Sequence, residues 1–282
     1  MNPMPPLFQI GQPTGYFAFQ ACKADRRFSY CAYVPAHYTA ATAHTFRLLV
    51  AVHGSERAPE AARQLFAPLA DATNCVVLAP LFPMAVTDDE ELHNYLFLKY
   101  RDIRYDLLLL AMVDEMQQRF ALPVQKFWLA GFSGGGQFVH RFMYQHAARL
   151  SAVSVGAPGM VNSLDARQPW FVGVKDVQAR FGQGVDRAAL RDLPVQVVVG
   201  GADTDTDIQV APGHPLYVEG VNDTGLTRVQ RAAYLHQVLL GAGAASQWDV
   251  VPGARHCAHE VQAAVDAFFS RQHELTQTCG QA

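Results

Sequence analysis

The chain has 282 residues, of which 50% are hydrophobic and 17% are charged, and its formal net charge is −3. An average globular chain carries about 25% charged residues, so this composition indicates a large buried core and argues against disorder. The sequence contains no run of basic residues, which argues against nucleic acid and anionic membranes as partners.

The first fifteen residues, MNPMPPLFQIGQPTG, show neither a basic leader nor an apolar stretch of signal-peptide length. No segment has the roughly 18 consecutive apolar residues of a membrane span. The eleven histidines show no metal-ligand spacing such as HExxH, so no metal site is expected. No CxxC pair occurs among the five cysteines, which are Cys22, Cys31, Cys75, Cys257 and Cys279. This pattern predicts mostly free thiols in a cytoplasmic protein, with a Cys22–Cys31 disulfide as the alternative.

The first part of the chain predicts four strands and a helix. Residues 15–22 (GYFAFQAC) and 28–35 (FSYCAYVP) are rich in aromatic residues and roughly alternate, as in a partly exposed antiparallel pair. The runs RLLVAV (47–52) and CVVLAP (75–80) are continuously apolar, which is typical of strands covered by helices on both faces. Residues 59–71, between these two runs, have a helical pattern.

Further along the chain, helices and strands alternate. Helical spacing of apolar residues predicts helices at 104–120, 135–149 and 227–240, and a last helix with a stripe formed by Val261, Ala264, Val265, Phe268 and Phe269. Strands are predicted at 126–131, 151–158, 195–200 and 247–253. This alternation predicts a single α/β domain over residues 1–282, with a mostly parallel central sheet and helices on both faces. The long connections 81–103 and 160–193 predict binding loops or peripheral helices, and 160–193 is a candidate for a small mobile lid.

A serine flanked by glycines follows the predicted strand at 126–131. The residues Gly131-Phe132-Ser133-Gly134-Gly135 form the motif G-x-S-x-G. Between a buried strand and a helix, this motif predicts a nucleophile elbow, in which a sharp turn exposes the serine hydroxyl at the edge of the sheet. The alternative is a glycine-rich helix start in which the serine caps the helix.

A nucleophilic serine needs a base, and the base needs an orienting carboxylate. Asp203 follows the predicted strand 195–200, and His256 follows the predicted strand 247–253. Both lie where parallel sheets build their sites, just past the carboxyl end of a strand. The order Ser133, Asp203, His256 is the order of a hydrolase triad.

Nearby residues compete for two of these roles. Asp205 and Asp207 follow Asp203 closely, and each remains an alternative acid or a solvated turn residue. His259 follows His256 but falls inside the start of the last predicted helix, so we interpret it as a surface or capping residue.

Two amides are candidates for an oxyanion hole, the pair of N–H donors that acyl transfer requires. One is the amide of Gly134, directly after the nucleophile. The other is the amide of Ser55, in the loop HGSERAPE that follows the strand 47–52, where Gly54 allows close approach of the backbone. The alternative for His53-Gly54 is an ordinary turn at the end of a strand.

Aromatic residues in the two long connections are candidate pocket walls. They are Phe82, Tyr95 and Tyr100 in 81–105, and Trp170 and Phe171 in 160–176. Aromatic residues at such spacing also occur in cores, so a core role is the alternative. The sequence leaves the oligomeric state open.

The segments AVHGSER, GFSGGGQFVHRF, VGGADTD, GLTRVQRA and VVPGARH together resemble the α/β-hydrolase superfamily, in particular its polyhydroxybutyrate-depolymerase-like and feruloyl-esterase-like branch. The resemblance covers roughly residues 28–270. It implies a cofactor-free serine hydrolase that cleaves esters, with Ser133, Asp203 and His256 as its triad. An amidase or peptidase with the same triad, or a non-catalytic binding protein on this fold, are the alternatives.

This chain departs from the family pattern in two ways. Secreted depolymerases carry a leader peptide and usually a polymer-binding module, and neither is evident in this sequence. The predicted oxyanion loop reads HGSE, whereas many lipases and esterases have HGGG. Both departures favour a small soluble ester over a polymer or a lipid as the substrate.

Overall fold

The computed structural model describes residues 14–87, 93–123 and 125–279. The N-terminal segment discussed above therefore lies almost entirely outside the described residues, as does the side chain of Cys279. The main sheet contains eight strands, which are β1 (Gly15–Ala21), β2 (Ser29–Val34), β3 (Arg47–Val52), β4 (Cys75–Leu81), β7 (Phe127–Phe132), β8 (Leu150–Gly156), β9 (Pro194–Gly200) and β10 (Ala245–Val251). Two short strands, β5 (Lys99–Tyr100) and β6 (Ile103–Arg104), form a separate antiparallel pair.

Seven α-helices accompany these strands in the described part of the chain. They are α1 (Pro59–Thr73), α2 (Tyr105–Arg119), α3 (Gly134–His146), α4 (Val177–Phe181), α5 (Arg187–Leu190), α6 (Arg228–Gly241) and α7 (Ala258–Cys279). The helix predicted at 135–149 ends earlier, at His146, and a 3₁₀ turn over Ala147–Arg149 completes the segment. The other predicted strands and helices are present with small shifts at their ends.

The main sheet has the order β1-β2-β4-β3-β7-β8-β9-β10. The pairs β1–β2 and β2–β4 are antiparallel, and the remaining pairs are parallel. The predicted mostly parallel sheet with antiparallel N-terminal strands is therefore confirmed. Because β3, β7, β8, β9 and β10 run in the same direction, the loops that follow them gather at one edge of the sheet.

Alternation along the strands builds two hydrophobic cores, one on each face of the sheet. In β9, Val195, Val197 and Val199 belong to the core that α2, α3 and α6 cover, and Val198 belongs to the core that α1 and α7 cover. The apolar stripe predicted for the last helix packs against this second core. Strands that are apolar on both faces are thus explained by helices on both sides.

The segment 160–193 packs against the body of the protein through buried side chains. Trp170 and Phe171 are only 6% and 9% exposed, and the indole N–H of Trp170 donates to the carbonyl of Phe97 at 3.0 Å. The buried guanidinium of Arg141 in α3 donates to the carbonyl oxygens of Leu96 and Met160. These contacts tie the segment to α3 and to the 81–105 connection, which favours the alternative of peripheral helices. The mobile lid stays a prediction.

The described cysteines, Cys22, Cys31, Cys75 and Cys257, are free thiols. The alternative of a Cys22–Cys31 disulfide is thus wrong. Among the described residues, no helix has the length and apolar character needed to cross a membrane, and no group of His, Cys, Asp and Glu is arranged to hold a metal ion.

Candidate active site

Ser133 occupies a strained turn between β7 and α3. Its backbone has φ 56° and ψ −116°, a conformation that costs a residue with a side chain about 1–3 kcal/mol and that clusters at functional sites. The Ser133 amide donates to the carbonyl of Gly156 at 2.9 Å, and the Ser133 carbonyl accepts from the amide of Gln137 at 3.0 Å. In the described part of the chain the Ser133 hydroxyl caps no helix amide, which argues against the alternative of a capping serine.

Three glycines allow the strands and α3 to approach closely enough to form this turn. A Cβ atom on Gly131 would lie 2.5 Å from the carbonyl carbon of Gly135. A Cβ on Gly135 would lie 2.3 Å from the carbonyl oxygen of Val52, and a Cβ on Gly136 would lie 2.3 Å from that of Gly156. These contacts are with backbone atoms, which cannot rotate away, so any side chain at these positions would push the turn apart.

The structure brings Ser133, His256 and Asp203 into one hydrogen-bonded chain. His256 Nε2 lies 2.9 Å from Ser133 Oγ, and His256 Nδ1 lies 2.6 Å from Asp203 Oδ2. A carboxylate can only accept a hydrogen bond, so the proton of the neutral imidazole lies on Nδ1. Nε2 is then free to accept the proton of the serine hydroxyl, which is the arrangement a general base requires.

The loops after β9 and β10 bond to each other, and this places Asp203 beside His256. The amide of Ala202 donates to the carbonyl of Ala254 at 2.8 Å. A Cβ on Gly200 would lie 2.4 Å from the same carbonyl oxygen, so the close approach depends on glycine there. Asp203 is only 2% exposed, and its carboxylate is turned inward toward the imidazole of His256.

The competing residues lie elsewhere. Asp205 and Asp207 are exposed in the loop after β9, and His259 is exposed in the first turn of α7. Of the three aspartates considered from the sequence, Asp203 is the one hydrogen-bonded to His256.

Arg228, at the first position of α6, contacts the candidate acid Asp203, a contact that the local sequence pattern does not predict. Its Nη1 lies 3.5 Å from Oδ1 of Asp203 and 3.1 Å from Oδ1 of Asp207. Its side chain is only 12% exposed, so the ion pair with Asp203 is shielded from water. This arginine lies in the segment GLTRVQRA, which carries part of the family resemblance, but only the folded chain brings it to Asp203.

His53 holds the peptide that carries one of the predicted oxyanion donors. Its Nε2 accepts from the amide of Phe82 at 3.1 Å, so its proton lies on Nδ1 and is donated to the carbonyl of Gly54 at 2.7 Å. In a trans peptide the C=O and N–H point to opposite sides. The Ser55 amide, in the same peptide unit as the Gly54 carbonyl, therefore points away from His53. Burial lowers the pKa of His53 to about 4, which keeps the ring neutral.

The Ser55 amide lies next to Gly134. A Cβ built on Gly134 would come within 3.0 Å of the Ser55 nitrogen and 2.7 Å of the Tyr95 hydroxyl. The Gly134 amide is at the start of α3, where the first N–H groups lack intrahelical acceptors. The hydroxyl of Tyr95 donates to the carbonyl of His53 at 3.2 Å and braces the loop from the other side. The two predicted oxyanion donors are thus adjacent.

The predicted pocket aromatics lie mainly in the core. Phe82, Tyr95, Trp170 and Phe171 are buried in the core on the α2, α3 and α6 face, and Tyr100 packs against it half-buried. None of the five is among the described residues that line the apolar cavity beside the elbow. Their position fits the alternative of a core role, and Tyr95 contacts the oxyanion loop through its hydroxyl.

No protein-family model and no curated protein matches the sequence, but solved structures resemble the fold. Poly(aspartic acid) hydrolase-1 from Sphingomonas sp. KT-1 is 23% identical with a TM-score of 0.69, over 85% of this chain and 92% of that one. The poly(3-hydroxybutyrate) depolymerase from Bordetella parapertussis is 23% identical with a TM-score of 0.69, and the match covers 86% of this chain and 83% of the depolymerase chain. A fluorophosphonate-binding serine hydrolase from Staphylococcus aureus is 13% identical with a TM-score of 0.61, and the match covers 92% of this chain and 98% of the hydrolase chain.

The chain has the α/β-hydrolase fold. In this fold the nucleophile, the acid and the histidine follow one another along the chain. Ser133 after β7, Asp203 after β9 and His256 after β10 occur in that order, and their side chains meet at the carboxyl edge of the sheet. The resemblance drawn from the sequence is therefore confirmed for the fold. Because one fold hosts many activities, the function has to be argued from the site itself.

Proposed function

We propose that this chain is a cofactor-free serine hydrolase that cleaves carboxylic esters through an acyl-enzyme intermediate. The observation that supports the proposal is the hydrogen-bonded chain from Ser133 through His256 to Asp203, with Ser133 on a strained strand-to-helix turn. The α/β-hydrolase fold raises the expectation of hydrolysis but does not establish it.

In the first step, Ser133 Oγ attacks the carbonyl carbon of the ester while its proton passes to Nε2 of His256. The carbonyl oxygen becomes an oxyanion and accepts hydrogen bonds from the amides of Gly134 and Ser55. The bond from the carbonyl carbon to the alcohol oxygen then breaks, and His256 returns its proton to the leaving alcohol. The acyl group remains on Ser133 as an ester.

In the second step, water replaces the alcohol. His256 takes a proton from the water as it attacks the acyl carbonyl, and the proton then returns to Ser133 as the acid leaves. During both steps the buried carboxylate of Asp203 keeps the imidazole in the productive tautomer and stabilises its protonated form. Arg228 holds the second oxygen of that carboxylate in place.

We infer a small-molecule ester as the substrate, because the predicted oxyanion loop reads HGSE, whereas many lipases and esterases have HGGG. Amide hydrolysis is the second candidate, since one structural neighbour is by name a hydrolase of poly(aspartic acid). The cytoplasmic location expected from the cysteines stays a prediction.

The experiment that tests the proposal combines labelling with turnover. A fluorophosphonate probe should label the wild-type protein and Ser151→Ala, whose serine is exposed in β8, but not Ser133→Ala. Matched p-nitrophenyl ester and p-nitroanilide substrates should show faster turnover of the ester. Equal labelling of Ser133→Ala would place the nucleophile elsewhere. An unlabelled wild-type protein would favour a non-catalytic binding protein, and faster turnover of the anilide would favour an amidase.

A further inference from the structure

An apolar cavity of about 170 Å³ lies between α1 and α7, at the edge of the sheet that carries Ser133. Its inner wall is made of side chains from both helices and from the ends of β7 and β9, namely Ala62, Leu65, Phe66, Phe132, Val198, Val261 and Val265. Polar side chains, namely Glu56, His259 and Gln262, line it as well. Glu56 and His259 are exposed, so these groups mark its mouth. The cavity is on the opposite face of the sheet from the core that holds the predicted pocket aromatics.

The cavity borders the three loops that carry the proposed chemistry, since each of them contributes a wall residue. Gly54 precedes the oxyanion donor Ser55, Phe132 precedes Ser133, and Ala258 follows closely after His256. The ring of Phe132 also packs against the imidazole of His256, with the ring centroids 4.9 Å apart. The cavity therefore adjoins the loops that carry Ser55, Ser133 and His256, although none of these three residues is among the described residues that line it.

We propose that this cavity binds the acyl chain of the ester, and that the preferred acyl group is a straight, uncharged chain of medium length. The inference rests on the proposed function. An apolar cavity of about 150 Å³ in another protein stays dry and binds benzene, so a cavity of about 170 Å³ has room for an acyl chain of roughly four to six carbons.

The charge at the mouth disfavours an acidic acyl group. The carboxylate of Glu56 lines the cavity and accepts from the amide of Gly54 at 3.2 Å, which fixes it beside the oxyanion loop. An acyl chain ending in a carboxylate would meet this negative charge at the mouth, or would place its own unpaired charge against the apolar inner wall, where unpaired charge is costly. The cavity therefore selects neutral chains.

The test varies the acyl length in wild-type protein and in matched variants of α1. Ala62→Leu fills the cavity, Leu65→Ala enlarges it, and Ala72→Leu is a control because Ala72 is exposed on the same helix and is not part of the wall. Turnover of p-nitrophenyl esters from acetate to octanoate is measured for each. The thermal midpoint of each variant is recorded, to separate a change of specificity from a loss of folding.

Each buried methylene contributes about fourfold to kcat/KM, and Ala62→Leu displaces about three methylenes, so kcat/KM for the hexanoate should fall roughly sixtyfold. Turnover of the acetate should stay within about twofold, because an acetyl group does not reach the cavity. Leu65→Ala should shift the optimum to longer chains, and Ala72→Leu should leave the profile unchanged. If Ala62→Leu fails to fold, the change in preferred acyl-chain length in Leu65→Ala decides the test.

The proposal is overturned if both cavity variants keep the wild-type ratio of hexanoate to acetate turnover. A second series, alkyl acetates of rising alcohol length, separates the two ends of the ester. If Ala62→Leu suppresses the longer alkyl acetates and not the longer acyl esters, the cavity holds the alcohol and the acyl assignment is wrong. These outcomes leave acetate turnover and fluorophosphonate labelling intact, whereas failure of the proposed function would abolish both in the wild-type protein.

Discussion

Replacing Asp203 by Asn is expected to cripple turnover, and the structure supplies the reason. The carboxylate has Oδ2 on His256 Nδ1 at 2.6 Å and Oδ1 at 3.5 Å from the guanidinium of Arg228. An asparagine in this place has one oxygen and one NH₂ group to distribute between the two neighbours. The guanidinium can only donate hydrogen bonds, so it attracts the amide oxygen, and the NH₂ group then faces the imidazole.

An NH₂ group facing Nδ1 selects the wrong tautomer of His256. Nδ1 must then accept, the proton moves to Nε2, and Nε2 can no longer take the proton of the Ser133 hydroxyl. The same change in a serine protease lowers kcat by about 10⁴, and about 10⁴ corresponds to roughly 5.5 kcal/mol in the activation barrier. We expect a loss of kcat between about 10³ and 10⁴ for p-nitrophenyl acetate, with KM nearly unchanged.

Arg228 allows a sharper form of this test. In the double variant Asp203→Asn/Arg228→Met, no cation fixes the amide oxygen, so the asparagine can turn its oxygen to His256, and part of the lost kcat should return. Asp207→Asn serves as the control, because it removes only the outer partner of Arg228 and should cost less than about tenfold. The reasoning fails if Asp203→Asn stays within about tenfold of wild type, or if the second substitution lowers activity further. A crippling Asp205→Asn or Asp207→Asn would assign the acid to another residue.

Two other predictions concern stability and the elbow. Burial lowers the pKa of His53 to about 4 and that of His140 well below its ordinary value, so the folded protein keeps both rings neutral where the unfolded chain protonates them. The free energy of unfolding is therefore highest above about pH 6.5 and falls as the pH drops toward 4, by up to about 3 kcal/mol for His53. Urea unfolding at pH 7 and at pH 4.5 measures this difference. Equal free energies of unfolding at the two pH values would contradict the prediction. A methyl group on Gly135 would meet the carbonyl oxygen of Val52 at 2.3 Å, so Gly135→Ala should abolish fluorophosphonate labelling, while Gly184→Ala, whose nearest neighbour is at 3.5 Å, should label like wild type.

The strands and the three proposed catalytic residues could be predicted because their signals are local. The motif around Ser133 needs a strand before it and a helix after it, and both have clear apolar patterns. Asp203 and His256 each follow an apolar run closely, and parallel strands bring such positions to one edge of the sheet. The choice of Asp203 over Asp205 and Asp207 rested on its being the first carboxylate after the strand.

Other features depend on contacts between distant segments and carry no local signal. Arg228 reaches Asp203 from the far end of a long irregular loop, so its distance along the chain hides its role. The function of His53 appears only when the end of β4 brings the amide of Phe82 to its Nε2. From the sequence, Trp170 and Phe171 fit a pocket wall as well as a core, because an apolar pattern shows that a side chain avoids water but not where it packs. The carbonyl of Phe97 satisfies the indole N–H, and this permits the burial of Trp170.

The parts of the structure that we propose for the chemistry and those that we propose for binding the acyl chain are different. Ser133, its glycines and the oxyanion loop are fixed by backbone contacts among β3, β7, β8 and α3, and the strain at Ser133 persists because these contacts determine its position. The cavity between α1 and α7 is formed by side chains, such as Ala62 and Leu65, that make none of those contacts. Changes in these two helices can therefore alter the acyl preference without moving the nucleophile. This separation is the physical reason to expect Ala62→Leu to change specificity and Gly135→Ala to abolish the reaction.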